Sequence, residues 1–278
     1  MKLWIVTVIV IVAVVIAGLV IWLSFKKSSS LNCTPWTMPS WSQSIAYGTY
    51  NRKGSRGTKL VSQALDAGFR IIDNAMCYGN EEEVGAIIRE SKIPRGEMVL
   101  ITKVPPSHIG RMEEKLATTA ELYGTSYMDV YMLHDQPDHF EDTIAAWKRL
   151  LRLHDKGKVK LVGMTNVSQA ILEKLGKATG KLPMIIENSL RSVEDLEGSL
   201  ANFCKKYGIV RLYFGVTKER NLTHPNVVTY ARSHNISPHC AILRIVQEAG
   251  AIPVVGSANE RHIIDNWRCV YKGKQEQD

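Results

Sequence analysis

Short apolar runs alternate with amphipathic stretches along most of the chain, beginning at Ile45. The runs are rich in β-branched residues and are bounded by polar or small residues, which is typical of buried parallel strands. The stretches between them repeat apolar residues at helical spacing, which predicts helices that pack one face on a sheet. The predicted strands cover residues 45–49, 69–73, 98–103, 128–134, 158–166, 183–187, 209–214 and 252–255.

A helical pattern follows each of these predicted strands. The predicted helices cover about residues 56–67, 81–91, 111–123, 140–154, 168–175, 193–207, 226–233 with 238–249, and 258–271. Eight strand–helix units over about 230 residues match the number and size of a (β/α)8 barrel. A doubly wound sheet is the alternative, but it normally carries a G-x-G-x-x-G turn after its first strand, and the sequence has none there. The predicted fold is therefore α/β, a (β/α)8 TIM barrel.

An almost unbroken apolar segment, Leu3 to Phe25, precedes the barrel. As a helix it would be roughly 34 Å long, enough to cross a bilayer core of about 30 Å. A cleaved signal peptide is the alternative, but its apolar core is normally only about 7–15 residues long. We expect residues 1–27 to be a transmembrane anchor with flanking lysines, residues 28–39 a linker, and residues 40–278 the barrel.

The anchor predicts a single-pass membrane protein. Lysines just after the apolar segment favour a cytosolic barrel under the positive-inside rule. Four N-x-S/T sequons argue for the opposite side, although such triplets are frequent by chance.

The composition argues against nucleic-acid binding and against a metal site. The net charge of +8 comes from scattered basic residues without interleaved aromatic ones, so no nucleic-acid partner is expected. The five cysteines are dispersed and form no C-x-x-C pair, which indicates neither a zinc site nor a disulfide framework and suits a reducing compartment. One of them, Cys77, lies in the loop after Asp73; a reactive thiol is the alternative there, but we interpret it as a small space-filling residue. No carboxylate cluster follows the strands, so no metal site is predicted.

Polar side chains end four consecutive predicted strands: Asp73, Lys103, His134 and Asn166. Tyr78 follows Asp73 in the next loop. The carboxyl ends of barrel strands are where catalytic groups gather. A single Asp or Lys at a strand end is more often a turn or surface residue, but this joint placement predicts one shared site.

These side chains suit proton donation to a carbonyl oxygen. A nearby ammonium lowers the pKa of a phenol from its ordinary value of about 10, so we expect Lys103 to lower that of Tyr78. Asp73 would compensate the buried ammonium, and the His134 imidazole would orient the substrate oxygen. No nucleophile has an adjacent base, which argues against acyl transfer.

The sequence around these residues resembles the aldo-keto reductase superfamily from about Met38 to Asn266. The matching segments are Gly48-Thr49, Gly68 to Asp73 with Ala75 and Tyr78, Asn80-Glu81 with Val84-Gly85, Ile101-Thr102-Lys103, Leu133-His134, Gly157-Lys158-Val159 with Gly163, Thr165-Asn166, Ser237-Pro238, and Ile252-Pro253 with Ser257 and Asp265-Asn266.

The resemblance implies NADPH-dependent reduction of small aldehydes or ketones to alcohols. Its catalytic tetrad corresponds to Asp73, Tyr78, Lys103 and His134, with Tyr78 as the general acid. The residues that it implies for the cofactor are Asp73, Thr165, Asn166, Glu187, Phe214, Ser257, Arg261, His262 and Asn266. We expect the catalytic domain to be monomeric.

Four positions depart from the pattern of that superfamily. Glu187 stands where Gln is usual, and Phe214 stands where Tyr commonly stacks on the nicotinamide. Gly256 replaces a phosphate-binding Lys, and His262 falls on the usual Arg position, one residue after Arg261. Because the changes at Gly256 and His262 affect the phosphate site, NADH is a possible cofactor as well.

Two other functions stay open at this point. A non-enzymatic, cofactor-sensing regulatory subunit like the potassium-channel β subunits would use the same cofactor site without turnover. A hydrolase would use Asp73 and Glu187 as its pair of carboxylates.

Overall fold

The computed structural model describes Leu31, Cys33 and residues 39–275. Eight parallel strands in this part of the chain close into a barrel in sequence order, with the last strand pairing the first. The strands are β1 Ala46–Gly48, β2 Ile71–Asp73, β3 Val99–Val104, β4 Met128–Leu133, β5 Val159–Thr165, β6 Ile185–Ser189, β7 Val210–Phe214 and β8 Ile252–Val255. The predicted barrel is confirmed.

Helices surround the barrel and connect its strands. They are α1 Gly54–Ala67, α2 Glu81–Glu90, α3 Met112–Leu122, α4 Phe140–Asp155, α5 Gln169–Thr179, α6 Ser199–Tyr207, α7 Glu219–Leu222, α8 Pro225–Ser233, α9 Pro238–Glu248 and α10 Glu260–Gln275. The predicted helix 193–207 is wrong in its first part, which is a separate short turn, Val193–Leu196. Ser192 and Asp195 cap that turn reciprocally, and Gly198 is extended before α6 begins.

The strand residues alternate between two apolar layers. One layer fills the barrel interior, and the other lies between the strands and the helices. On β3, Val99 and Ile101 point inward whereas Leu100 packs outward. Because side chains alternate with a period of two, Lys103 continues the inward row of β3. Asp73 continues the inward row of β2 after Ile71 by the same argument.

The interpretation of the cysteines is wrong for one pair. A disulfide joins Cys240 to Cys269, whose Cα atoms are 5.0 Å apart, and connects α9 to α10. The two cysteines are 29 residues apart in the sequence. They meet because these helices pack side by side, which spacing along the chain does not reveal.

The predicted anchor, residues 1–27, lies outside the described residues. So does the predicted linker 28–39, apart from Leu31, Cys33 and Pro39. No helix within the described part of the chain combines the length and the apolar character that crossing a membrane requires.

Candidate active site

A buried ion-pair cluster occupies the carboxyl end of the barrel. The Nζ atom of Lys103 lies 2.5 Å from Oδ1 of Asp73 and 3.0 Å from Oε2 of Glu187. All three side chains are at most 4% exposed. Lys103 also donates a hydrogen bond of 3.4 Å to the phenol oxygen of Tyr78. The ammonium group of Lys103 therefore contacts two carboxylates and a phenol.

Tyr78 reaches this cluster through a single tight turn after β2, Met76–Tyr78. The turn ends at Gly79, whose φ of 63° lies in the left-handed region that glycine adopts most easily. The Tyr78 ring packs edge-on against Tyr50 and against His134, with ring centroids 5.1 and 5.6 Å apart. The turn thus returns the phenol to the barrel mouth beside the lysine.

His134 follows β4, and its backbone N–H donates to Val104 O at 2.9 Å. Its Nδ1 atom lies 3.1 Å from the Sγ atom of Cys77. The interpretation of Cys77 as a space-filling residue is wrong, since its side chain is exposed and contacts the imidazole. Only its position next to Tyr78 could have indicated this contact from the sequence.

Burial dominates the electrostatics of this site. Burial raises the pKa of Tyr78, Lys103 opposes that shift, and Asp73 and Glu187 add to it, so the net change is upward. The expectation that Lys103 lowers the pKa of Tyr78 below its ordinary value is therefore wrong. One ammonium does not outweigh burial together with two carboxylates. At neutral pH Tyr78 keeps its proton and can donate it.

Burial and neighbouring charges also shift the pKa values of His134, Glu187 and Lys103. Burial and the charge of Lys103 lower the pKa of His134 to about 4, so the imidazole is neutral at neutral pH. Burial and the charge of Asp73 raise the pKa of Glu187 to about 7. Burial acts to lower the pKa of Lys103, but the charges of Asp73 and Glu187 raise it by more than burial lowers it. The lysine therefore stays charged.

Four more of the sequence-predicted residues line the same cavity of about 500 Å³: Thr165, Asn166, Glu187 and Phe214. The hydroxyl of Thr165 donates to the backbone oxygen of His134. Asn166 has a φ of 53°, and its amide donates to Asp135 Oδ1 at 2.9 Å. The structure therefore gathers eight of the predicted residues around one opening.

The remaining four predicted residues do not line this cavity. Ser257 and His262 line a separate cleft beside α1. Arg261 is exposed at the start of α10. Asn266 is only 3% exposed, and its side-chain oxygen is hydrogen-bonded to Nε2 of His239. These residues lie after β8 and on α10, away from the buried ion-pair cluster.

The cavity fits the nicotinamide cofactor that the sequence implies. The Phe214 ring lines the same opening as Tyr78, and two glycines, Gly215 and Gly256, leave room in its wall. Arg52, which sequence reasoning missed, lines the opening with a buried Nε atom that has no hydrogen-bond partner. A guanidinium so placed suits an anionic ligand.

The arrangement suits proton donation and does not suit hydrolysis. A protonated phenol, a neutral imidazole and a fixed ammonium all face the opening. Asp73 and Glu187 both contact Lys103, so neither carboxylate is free to act as a nucleophile or as an independent acid. Among the described residues, no group of three or more His, Cys, Asp or Glu side chains could hold a metal ion.

Comparisons with known proteins agree with this geometry. The chain matches the model of the Aldo/keto reductase family over residues 41–277. It is 32% identical to 9,11-endoperoxide prostaglandin H2 reductase of Trypanosoma cruzi and 32% identical to glyoxal reductase of Bacillus subtilis, in each case over 77% of this chain and 77% of the relative. A crystal structure of an aldo/keto reductase from Brucella melitensis is 29% identical and superposes with a TM-score of 0.75, covering 82% of this chain and 87% of that one. The protein therefore belongs to the aldo/keto reductase family of oxidoreductases.

Proposed function

We propose that the protein reduces the carbonyl group of a small aldehyde or ketone to an alcohol, with NADPH as the hydride donor and Tyr78 as the general acid. The observation that carries this proposal is the convergence of three side chains on the phenol of Tyr78. Lys103 contacts both Tyr78 and Asp73, and His134 packs against the phenol ring. A Bombyx mori aldo-keto reductase of the same fold has been solved in complex with NADP, which also favours this cofactor.

In this mechanism Tyr78 gives its proton to the carbonyl oxygen of the substrate. Lys103 donates to the phenol oxygen and stabilises the phenolate as it forms, because an adjacent positive charge favours the ionised state. Asp73 and Glu187 keep Lys103 charged in the buried site. The bound cofactor supplies the hydride for the carbonyl carbon, and Tyr78 regains its proton from solvent afterwards.

His134 orients the substrate oxygen in this proposal. Its Nδ1 atom lies beside the Cys77 thiol. When that nitrogen accepts from the thiol, the proton of the neutral imidazole is on Nε2 and can be donated to the carbonyl oxygen. A neutral imidazole positions the oxygen without competing with Tyr78 as the acid.

Residues at the carboxyl ends of β5 to β8 and on α10 would hold the cofactor. Thr165 and Asn166 would hold the carboxamide, and the Phe214 ring would stack on the nicotinamide. Ser257, with Arg261, His262 and Asn266 on or near α10, would meet the adenosine half. Asn266 can do so only if its contact with His239 opens. Asp73 and Glu187 would act on the cofactor indirectly, through Lys103.

The test is to follow NADPH and NADH oxidation with a panel of small aldehydes and ketones. The relatives are named for reduction of compounds as different as an endoperoxide and glyoxal, so the panel should be broad. Turnover supports the proposal. Cofactor binding without any turnover would instead favour the regulatory role. If the protein neither bound the cofactor nor turned over any substrate, the proposed cofactor site would be wrong.

We also propose the arrangement of the full chain that the sequence predicts. Residues 1–27 form a single-pass membrane anchor, residues 28–39 a linker, and residues 40–278 a monomeric reductase domain in the cytosol. The support is the apolar segment and its flanking lysines. If alkaline carbonate releases the full-length protein from membranes, the anchor is wrong.

A further inference from the structure

Arg52 is a cation without an acidic partner at the edge of the active-site cavity. It lies between β1 and α1 and lines the opening together with Tyr78 and Lys103. Lys103 is committed to two carboxylates, whereas no described carboxylate forms an ion pair with Arg52. Its Nε atom is buried without a hydrogen-bond partner, and its Nη1 atom makes a long contact of 3.4 Å to Asn51 O.

An arginine in this state favours an anionic ligand. Leaving a buried donor unpaired costs free energy, so a ligand that accepts from it binds more tightly. The planar guanidinium matches the oxygens of a phosphate group, to which it can donate two parallel hydrogen bonds. In the proposed function such oxygens are present in the dinucleotide, on its pyrophosphate and, in NADPH, on its 2′-phosphate.

The Arg52 guanidinium is also spatially linked to Gly256. A Cβ atom added at Gly256 would lie 3.6 Å from Nη2 of Arg52 and 3.0 Å from Gly48 O. A side chain at residue 256 would therefore project into the region that the guanidinium occupies. Because residue 256 is a glycine, the Arg52 guanidinium supplies the positive charge beside the end of β8.

We propose that Arg52 binds a phosphate group of the dinucleotide cofactor, in the part of the cavity that it shares with Gly256. This inference rests on the proposed function, because it needs a nicotinamide dinucleotide in the cavity. The phosphate is either the pyrophosphate, which NADPH and NADH share, or the 2′-phosphate, which only NADPH carries. The experiment distinguishes these two sources.

The test is fluorescence titration of the full-length protein with NADPH and with NADH, without substrate. Arg52→Gln should weaken binding at least about tenfold, since it removes a charge-assisted pair. Lys53→Gln is the matched control: it removes the same charge from the next residue, which is exposed and outside the cavity, and binding should stay within about twofold. Equal losses for both cofactors would identify the pyrophosphate, and a loss confined to NADPH would identify the 2′-phosphate.

A conservative variant separates a lost charge from a damaged fold. Arg52→Lys keeps a cation at the same residue and should retain part of the affinity that Arg52→Gln loses. The proposal is overturned if Arg52→Gln binds like Lys53→Gln, or if Arg52→Lys binds as weakly as Arg52→Gln. Absence of cofactor binding by the wild-type protein would instead reject the proposed function itself.

Discussion

The Nζ atom of Lys103 on β3 lies 3.0 Å from Oε2 of Glu187 on β6, so this ion pair crosses the interior of the barrel. The same lysine is paired with Asp73 at 2.5 Å. The ammonium of Lys103 therefore interacts with two carboxylates as well as with the phenol of Tyr78.

Changing Glu187 to Gln should shift the alkaline loss of reductase activity to a lower pH than in the wild-type protein. Glu187 is one of the groups that raise the pKa of Tyr78. Removing its charge lowers that pKa, while Asp73 still pairs with Lys103. Because the general acid must be protonated, the alkaline loss of kcat then begins earlier. The measurement is the pH profile of kcat, with the exposed Glu197→Gln as the control; an alkaline limb that stays in place or moves upward contradicts the arrangement.

Changing Tyr78 to Phe should abolish turnover and spare cofactor binding. The variant keeps the ring that packs against His134 but loses the proton donor. General acid catalysis of this kind contributes about 10²–10⁴-fold to the rate. Steady-state kcat and cofactor titration measure the two effects separately. Tyr127→Phe makes the same change outside the cavity and should behave like the wild-type protein; turnover by Tyr78→Phe at the wild-type rate would reject Tyr78 as the acid.

The sequence allows the barrel and the catalytic cluster to be predicted because both depend on local pattern. Short β-branched runs mark the strands, and polar residues mark where they end. The inward row of each strand then places Asp73 and Lys103 in the interior without knowledge of any contact.

Other features depend on elements that meet only in the folded chain. The contact of Cys77 with His134 and the disulfide between Cys240 and Cys269 join segments that no periodicity relates. The upward shift in the pKa of Tyr78 likewise depends on how deeply the phenol is buried and on Glu187, a residue from a distant strand. Arg52 has no sequence signal because its neighbour, Gly256, comes from the opposite end of the barrel sequence.

His134 should make the wild-type protein sensitive to mild acid. Its pKa is about 4 in the folded protein, against an ordinary value of 6.5, because burial and then Lys103 disfavour its charged form. The unfolded chain therefore takes up the proton first. The stability that this difference provides is complete above pH 6.5 and is lost as the pH falls toward 4. The free energy of unfolding, measured with urea at pH 7 and pH 5, should fall less in His134→Gln; an imidazole signal titrating near 6.5 would contradict the shift.

The closure of the barrel between β5 and β6 should be sensitive to a single methyl group. A Cβ atom at Gly163 would lie 2.3 Å from the backbone oxygen of Ile185, and backbone in a closed sheet cannot move aside cheaply. Gly163→Ala should therefore lower the free energy of unfolding by about 2 kcal/mol or more. Gly96→Ala is the control, since a Cβ there meets nothing within 4 Å, and it should stay within about 0.5 kcal/mol of the wild-type protein. Urea unfolding of the two variants measures the difference, and equal stabilities would mean that β5 and β6 are not packed this closely.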